Sequence, residues 1–244
     1  MRHKEILLNT QHNGNSKSLY PSNGDDIDTI GDNHVSTSYD TPLSKNAFDK
    51  TDAQKKQTIE FHFRKIMETL GLDLEDDSLK GTPKRVAKMY IDEIFCGLNP
   101  KNKPSISLFE NKYKYDEMLI EKNISFYSNC EHHFVPIVGK AHVAYISNGK
   151  VIGLSKINRI VNYFAQRPQV QERLTNQIAD ELCNILDTKD VAVIIDAKHL
   201  CVSSRGIKDN TSTTITSYYG GKFKSRSVKN EFINHTLNCS NDFI

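Results

Sequence analysis

The sequence predicts an α+β domain in which antiparallel β-hairpins are covered on one face by helices. Apolar residues recur at helical spacing in four segments, and β-branched or alternating runs mark four others. These segments follow the order two helices, two strands, two helices, two strands. The predicted segments are helices 59–70 and 82–97, strands 118–128 and 135–146, helices 157–164 and 170–186, and strands 191–202 and 213–219.

Local signals mark several ends of these segments. Gly71 follows the first helix as a typical C-terminal stop. Thr82-Pro83 supplies an N-cap and a proline at the first position of the second helix. Asn148-Gly149 is a turn signal just beyond the second strand, and Pro168 separates the two central helices.

The chain divides into a polar extension and a folded domain. Residues 1–50 are rich in Asn, Ser, Asp and Thr, and their apolar residues have no period. Such a segment buries too little apolar surface to offset its ordering entropy, so we expect a disordered extension. A small extra domain is the alternative. Residues 51–244 form the predicted catalytic domain.

Composition excludes several classes of protein. The net charge of +2 is too small to indicate nucleic acid or an anionic membrane as a partner. The basic run 222–229 is short and is interpreted as a solvated rim. No apolar run approaches the roughly 18 residues of a membrane span. Five cysteines without a secretory signal argue against a disulfide framework, so we expect a cytoplasmic location.

Two short clusters offer ligands for a metal ion. Cys130-Glu131-His132-His133 places Cys130 and His133 within reach of one ion from a tight bend. The strand predicted over 191–202 places His199 and Cys201 at adjacent positions of the same face. Thiols and imidazoles suit zinc, and three protein ligands leave the fourth position for water, as in catalytic sites. The alternative is a buried cysteine beside a hydrogen-bonded core histidine.

Charged residues near two helix starts suggest an anionic, nitrogen-rich ligand. Lys156 and Arg159 share one side of a helix whose start attracts anions, and Arg205 could join them as a polyphosphate clamp. A solvated basic face is the alternative. Glu172 could accept two hydrogen bonds from a guanine edge beside Gln171, although a Glu there also complements the helix dipole.

Five ordered motifs, taken together, resemble the GTP cyclohydrolase I family over about residues 51–230. The motifs are Gly81-Thr82-Pro83-Lys84-Arg85-Val86-Ala87-Lys88-Met89-Tyr90, Cys130-Glu131-His132-His133, Val151-Ile152-Gly153-Leu154-Ser155-Lys156, Arg167-Pro168-Gln169-Val170-Gln171-Glu172-Arg173-Leu174-Thr175, and His199-Leu200-Cys201 with Arg205-Gly206. The first fifty residues lie outside the resemblance.

The resemblance implies a fold, an assembly and a reaction. The fold is a tunnelling fold (T-fold), whose subunits join through sheet edges into a ring barrel, typically a homodecamer with active sites at subunit interfaces. The reaction converts GTP and water to formate and 7,8-dihydroneopterin triphosphate, at the start of folate or tetrahydrobiopterin synthesis.

The resemblance also implies a role for each matching residue. The implied zinc ligands are Cys130, His133 and Cys201. The implied proton carriers are His132, His199 and Ser155. The implied substrate contacts are Gln171 and Glu172 for guanine; Ser155, Lys156, Arg159 and Arg205 for ribose and triphosphate; and Arg85 from a neighbouring subunit.

The sequence is also compatible with two other classes of protein. A related tunnelling-fold enzyme would act on another pterin or purine precursor, but an unphosphorylated substrate has no use for Lys156, Arg159 and Arg205. A structural zinc module in a binding protein would need a fourth protein ligand, for which only an awkwardly placed histidine is available.

Overall fold

Two sheets carry the strands of the computed structural model, which describes residues 37–237. The strands are β1 Leu108–Glu110, β2 Met118–Cys130, β3 Pro136–Ile146, β4 Lys150–Ile152, β5 Pro168–Gln169, β6 Val191–His199 and β7 Thr214–Tyr219. The larger sheet has the order β5, β2, β3, β6, β7, and the smaller sheet pairs β1 with β4. Neighbours are antiparallel, except that β5 runs parallel to β2. The four predicted strands are confirmed as β2, β3, β6 and β7, with differences at their ends.

The helices begin and end close to the sequence signals, with two differences. The α-helices are α1 Asp52–Thr69, α2 Thr82–Met89, α3 Leu154–Ala165, α4 Gln171–Leu186, α5 Leu200–Ser203 and α6 Arg226–Leu237. A capping box between Thr51 and Gln54 begins α1 earlier than the apolar pattern predicts. Gly71 follows α1 at a φ of 79°, as its predicted role requires. The second helix is shorter than predicted, because the chain continues from Met89 into a π-helical turn over Tyr90–Ile94.

The main core lies between the larger sheet and the helices α3 and α4. Alternate residues of β3 and β6 face these helices and are buried, as the period of a strand requires. Core residues from both layers include Val143, Tyr145, Ile157, Ile160, Val161, Ile178, Leu182, Val193 and Ile195. The predicted covering of one sheet face by these two helices is therefore confirmed.

A second, smaller core lies on the opposite face of the sheet. Ala144, Ile146, Ala192 and Ile194 pack there against Phe223 and Phe232. These two phenylalanines come from a 3₁₀ turn over Gly221–Lys224 and from α6. The basic run 222–229 is thus exposed at Lys222 and Lys224 but anchored by buried Phe223. Helix α6 on this face was not predicted from the sequence.

The chain before α1 contacts the domain over part of its length. Residues 1–36 of the predicted extension, and Cys239, lie outside the described residues. Ser38, Tyr39 and Asp40 make hydrogen bonds to α4. Within residues 37–237, no helix has both the length and the apolar composition needed to cross a bilayer.

Candidate metal centre

A tight turn after β2 presents the first two candidate ligands. Cys130 is the last residue of β2, and its carbonyl accepts a hydrogen bond from the Phe134 N–H at 2.8 Å. The Cys130 N–H donates to the Val135 carbonyl at 2.9 Å, and the Asn129 side chain donates to the Phe134 carbonyl at 3.1 Å. Phe134 has a φ of 53°, in the left-handed region that lets the chain reverse here. These bonds hold Cys130 and His133 in one closed turn.

Cys201 reaches the same site from a helical turn, not from a strand. The prediction that the strand continues to residue 202, with His199 and Cys201 adjacent on one face, is wrong. The strand β6 ends at His199, and Cys201 lies in α5. The last partner of His199 on the neighbouring strand is Ile137, and β3 begins one residue earlier at Pro136. Because proline has no N–H to donate, the pairing ends there.

Cys130, His133 and Cys201 offer a compact set of donor atoms. One donor atom from each of the three residues lies within 4.8 Å of the other two. The distance from Cys130 Sγ to His133 Nδ1 is 3.9 Å. Two ligands of one tetrahedral zinc, with bonds of about 2.3 Å to sulfur and 2.0 Å to nitrogen, lie roughly 3.6 Å apart. The donor set therefore fits a zinc ion with small adjustments.

The electrostatics of Cys201 also suit a cation. Burial raises the pKa of the Cys201 thiol, the adjacent Cys130 raises it further, and Arg205 partly lowers it. The Cys201 thiol therefore resists losing its proton on the protein alone. A divalent cation would reverse this balance, because a coordinating thiol loses its proton.

His199 is held by Gln171 in one orientation and one tautomer. The two N–H groups of the Gln171 side chain are shared among three acceptors: the carbonyls of Ile195 at 3.2 Å and Thr214 at 2.8 Å, and Thr216 Oγ1 at 3.1 Å. Its side-chain oxygen therefore faces His199 Nε2, at 2.7 Å. That oxygen can only accept, so Nε2 carries the proton and Nδ1 keeps a lone pair.

The charge state of His199 follows from its surroundings. Burial lowers the pKa of His199, and the nearby Glu172 carboxylate opposes this shift. The imidazole is therefore neutral at neutral pH, which leaves Nδ1 able to accept a proton. A proton acceptor thus lies on His199, two residues before the candidate ligand Cys201.

Gln171 and Glu172 differ in accessibility although they are neighbours at the start of α4. Gln171 is only 2% exposed, and its amide is occupied by the bonds to His199, β6 and β7. Glu172 is exposed. In the single chain a guanine can reach the carboxylate of Glu172 more easily than the amide of Gln171. The predicted contact between Gln171 and guanine stays a prediction.

The exposed face of the site carries His132 and Arg205. His132 Nδ1 lies 3.9 Å from Cys130 Sγ, so this imidazole is beside the donor set. Arg205 Nη1 lies 2.8 Å from His133 Nε2. Two predicted site residues therefore border the candidate metal ligands within one chain.

The remaining predicted cations lie elsewhere in the chain. The start of α3 follows β4 and the end of β3, where Ile146 pairs with Met118. The candidate ligands lie at the other end of the same strand pair, beyond Asn129 and Pro136. Ser155 and Lys156 are thus at the opposite end of the sheet, and the Lys156 ammonium donates to the Ser105 carbonyl at 2.8 Å.

Arg159 and Arg85 are both exposed in the single chain. Arg159 is exposed in the middle of α3, roughly 9 Å along the helix axis from its last residue at 1.5 Å per residue. Arg85 is exposed on α2 and donates to the Ser78 carbonyl at 3.1 Å and to Thr82 Oγ1 at 2.9 Å.

A buried ion pair lies beside the turn over residues 130–134, which we call the metal turn, and this pair was not predicted from the sequence. Glu131, which lies between the candidate ligand Cys130 and His132, pairs with Arg173 of α4 at 2.6 Å. The one signal that could have indicated it is an arginine within the apolar stripe of a helix, where a buried cation requires a partner.

The fold and site define a mixed α/β protein with a two-cysteine, one-histidine group able to hold a metal ion. The family model described as GTP cyclohydrolase I matches residues 59–237. The chain belongs to the GTP cyclohydrolase I family and is an enzyme of that family, which confirms the resemblance drawn from the motifs.

Several curated relatives extend over most of the chain, and each bears the name GTP cyclohydrolase 1. The protein of Flavobacterium johnsoniae is 60% identical over 214 residues, covering 88% of this chain and 96% of its own length. The protein of Aeromonas hydrophila is 58% identical over 195 residues, covering 80% and 88%. The protein of Vibrio cholerae is 56% identical over 195 residues, covering 80% and 89%.

Proposed function

We propose that this chain is a zinc-dependent GTP cyclohydrolase I. It converts GTP and water to formate and 7,8-dihydroneopterin triphosphate, the first step toward folate or tetrahydrobiopterin. The single observation that carries the proposal is the convergence of Cys130, His133 and Cys201 within 4.8 Å in a chain of this family. Cytoplasmic location, with neither membrane nor nucleic acid as a partner, is part of the same proposal.

The metal requirement is supported by the donor set. Cys130, His133 and Cys201 would hold the zinc ion, and three protein ligands leave one position for water. When bound, zinc supplies a water molecule whose pKa is lowered to about 7, so that hydroxide is available at neutral pH. This is the chemistry that opening a purine ring by hydrolysis requires.

Proton transfer is assigned to the histidines around the ligands. His199 is neutral and orients its Nδ1 lone pair through its bond to Gln171, so it can accept a proton. His132 lies beside Cys130 and is exposed, so it can donate a proton to purine N7 and prevent charge from building up on the ring. Ser155 is assigned to proton transfer during rearrangement of the ribose.

Guanine recognition is assigned to the start of α4. The exposed Glu172 carboxylate can accept hydrogen bonds from guanine N1–H and the exocyclic amine at once. Gln171 belongs to the same recognition element and also positions His199. The neighbouring residues Gln171 and Glu172 thereby link the binding site of guanine to His199, which transfers a proton.

Triphosphate binding is assigned to residues of more than one chain. Arg205 borders the ligands, whereas Ser155 and Lys156 lie at the opposite end of the sheet. This separation supports a site in which a second subunit supplies Ser155 and Lys156, together with Arg159 of the same helix. Active sites at subunit interfaces are therefore part of the proposal, with Arg85 also coming from a neighbour.

An assembly is further supported by apolar surface that the single chain leaves exposed. Within the 18 residues of α1, Met67 is the buried side chain, and Phe61 and Ile66 are more than half exposed. Large exposed apolar surfaces of this kind mark interfaces. We propose a tunnelling fold whose subunits form a ring barrel, as a homodecamer.

The function is tested with purified, zinc-loaded protein and GTP. We expect formate and a product that fluoresces as a neopterin after oxidation and dephosphorylation. Guanosine, which lacks the triphosphate, should be a far poorer ligand than GTP. Equal affinities for guanosine and GTP would favour a related enzyme that acts on another pterin or purine precursor. Zinc-loaded protein that releases no formate from GTP would contradict the proposal.

A further inference from the structure

The metal turn is tied to α4 by the buried ion pair between Glu131 and Arg173. Arg173 Nη1 lies 2.6 Å from one Glu131 carboxylate oxygen, and Nη2 lies 3.4 Å from the other. The Arg173 side chain is 3% exposed and that of Glu131 is 19% exposed. Because either charge alone would be buried without compensation, the two side chains are held in contact with each other.

The remaining side of the Arg173 guanidinium is also occupied. Its Nε donates to the Ser38 carbonyl at 2.8 Å. The two residues that follow Ser38 bind the same face of α4: the Gln177 side chain donates to Asp40 at 3.0 Å, and the Tyr39 hydroxyl donates to Asp180. The segment Ser38–Asp40 thus forms a strap along α4, and the strap holds Arg173 from the side away from Glu131.

Glu131 is fixed by its backbone as well as by its side chain. Its N–H donates to the Gln169 carbonyl at 3.1 Å, which connects the turn to the short strand β5. Glu131 follows the candidate ligand Cys130 directly and lies two residues before the candidate ligand His133. A rotation of Glu131 would therefore move both ligands relative to Cys201, although neither the Gln169 bond nor the Arg173 pair involves a ligand atom. The Glu131 carboxylate also lies 3.8 Å from His132 Nε2.

We propose that Glu131 and Arg173 are positioning residues that hold Cys130 and His133 in the arrangement required for metal binding, and that the strap Ser38–Asp40 holds Arg173. The inference rests on the proposed zinc site. It assigns a role to the part of the chain before α1, which is otherwise remote from the donor atoms in sequence. The role is indirect, because neither residue supplies a donor atom to the ion.

The test compares the zinc affinity of full-length variants by competition with a chromophoric chelator. Glu131→Gln keeps the shape of the side chain and removes its charge, and Arg173→Lys keeps the charge but loses the planar fork. Glu181→Gln is the matched control, because Glu181 also lies on α4 and pairs with Lys103 at 2.7 Å, outside the metal turn. Thermal unfolding of each metal-free variant is measured in parallel.

Loss of a group that orients metal ligands typically weakens metal binding by about 10- to 100-fold. We expect that loss for Glu131→Gln, a smaller loss for Arg173→Lys, and wild-type affinity for Glu181→Gln. If Glu131→Gln fails to fold, Arg173→Lys decides alone. The combined change Tyr39→Phe and Asp40→Ala should also weaken zinc binding. Unchanged zinc affinity in this variant would contradict the role of the strap in holding Arg173.

The results that overturn the positioning role are distinct from failure of the zinc site. Wild-type protein that binds no zinc would overturn the site itself. Wild-type protein that binds zinc, with Glu131→Gln and Arg173→Lys within about twofold of Glu181→Gln, would overturn only the positioning role. A loss of affinity that disappears once the lower stability of the metal-free variant is accounted for would also overturn it, because the ion pair would then be merely structural.

Discussion

Replacing Gln171 with methionine separates two roles that the same residue could have. Methionine fills a similar volume but removes the hydrogen bonds to Ile195, Thr214 and Thr216, as well as the acceptor for His199 Nε2. Each neutral hydrogen bond contributes about 1 kcal/mol net, and the apolar replacement recovers part of the loss. We therefore expect unfolding to require roughly 2–4 kcal/mol less free energy.

The kinetic effect of Gln171→Met should be on turnover. Without its acceptor, His199 is free to rotate and to exchange tautomers, so the Nδ1 lone pair is no longer held in one direction. General acid–base catalysis contributes about 10²–10⁴-fold, and loss of orientation should remove part of it. We expect kcat for formate release to fall by roughly 10- to 100-fold. KM for GTP should change much less, because the exposed Glu172 of the same recognition segment is left in place to hold the base.

The assay is steady-state formate release, with thermal unfolding measured on the same samples. Asn176→Met is the control, since Asn176 is exposed on the same helix, and it should change neither stability nor kcat appreciably. A large rise in KM with unchanged kcat would contradict the role of Gln171 in orienting His199. It would show that Gln171 acts by holding the base and that its bond to His199 has no part in turnover.

Three further predictions follow from the ligands, the cations and a buried histidine. Cys201→Ala should lose bound zinc and activity together, as measured by metal analysis and formate release. Arg159→Ala should chiefly raise KM for GTP, because the triphosphate anchors the substrate without reacting. Burial lowers the pKa of His142, with Asp196 opposing the shift, so the folded protein keeps this imidazole neutral. Stability should therefore be full above the unfolded pKa of about 6.5 and fall as pH decreases below it. His142→Gln should flatten that dependence in denaturant titrations.

Each of these predictions has a result that would contradict it. Cys183→Ala changes a half-buried cysteine outside the donor set and should retain zinc; zinc retained equally by Cys201→Ala would exclude Cys201 as a ligand. A pure loss of kcat in Arg159→Ala would contradict a binding role. An unchanged slope of stability against pH in His142→Gln would mean that other groups cause the acid sensitivity.

The candidate ligands could be predicted because their signal is local. Cys130 and His133 share one turn, and spacing alone shows that both can reach one ion. The structure brings Cys201 close to Cys130 and His133, as predicted, but from a helical turn and not from a strand. The alternation of apolar residues continues past His199, whereas the strand ends there because its neighbour begins at Pro136. Alternation in one segment contains no information about where the neighbouring strand stops.

The features that sequence reasoning missed depend on distant partners. The pair of Glu131 and Arg173 joins residues 42 positions apart. The position of Arg173 within the apolar stripe of α4 indicates a buried partner but does not show which residue it is. The burial of Phe223 was missed because lysines flank it, and the run has the composition of a solvated edge. Helix α6 packs on the second sheet face because Ala144 and Ile194 form an apolar surface there. This surface exists only once the strands are paired, so the sequence of α6 alone does not indicate it.

The central claim is that Cys130, His133 and Cys201 bind one zinc ion and leave a coordination position for water. X-ray absorption at the zinc edge, measured on freshly isolated protein, tests this most directly. We expect one zinc per chain, with two sulfur ligands at about 2.3 Å, one imidazole nitrogen and one further oxygen ligand. A shell of four sulfur and imidazole ligands, or the absence of stoichiometric zinc, would contradict it.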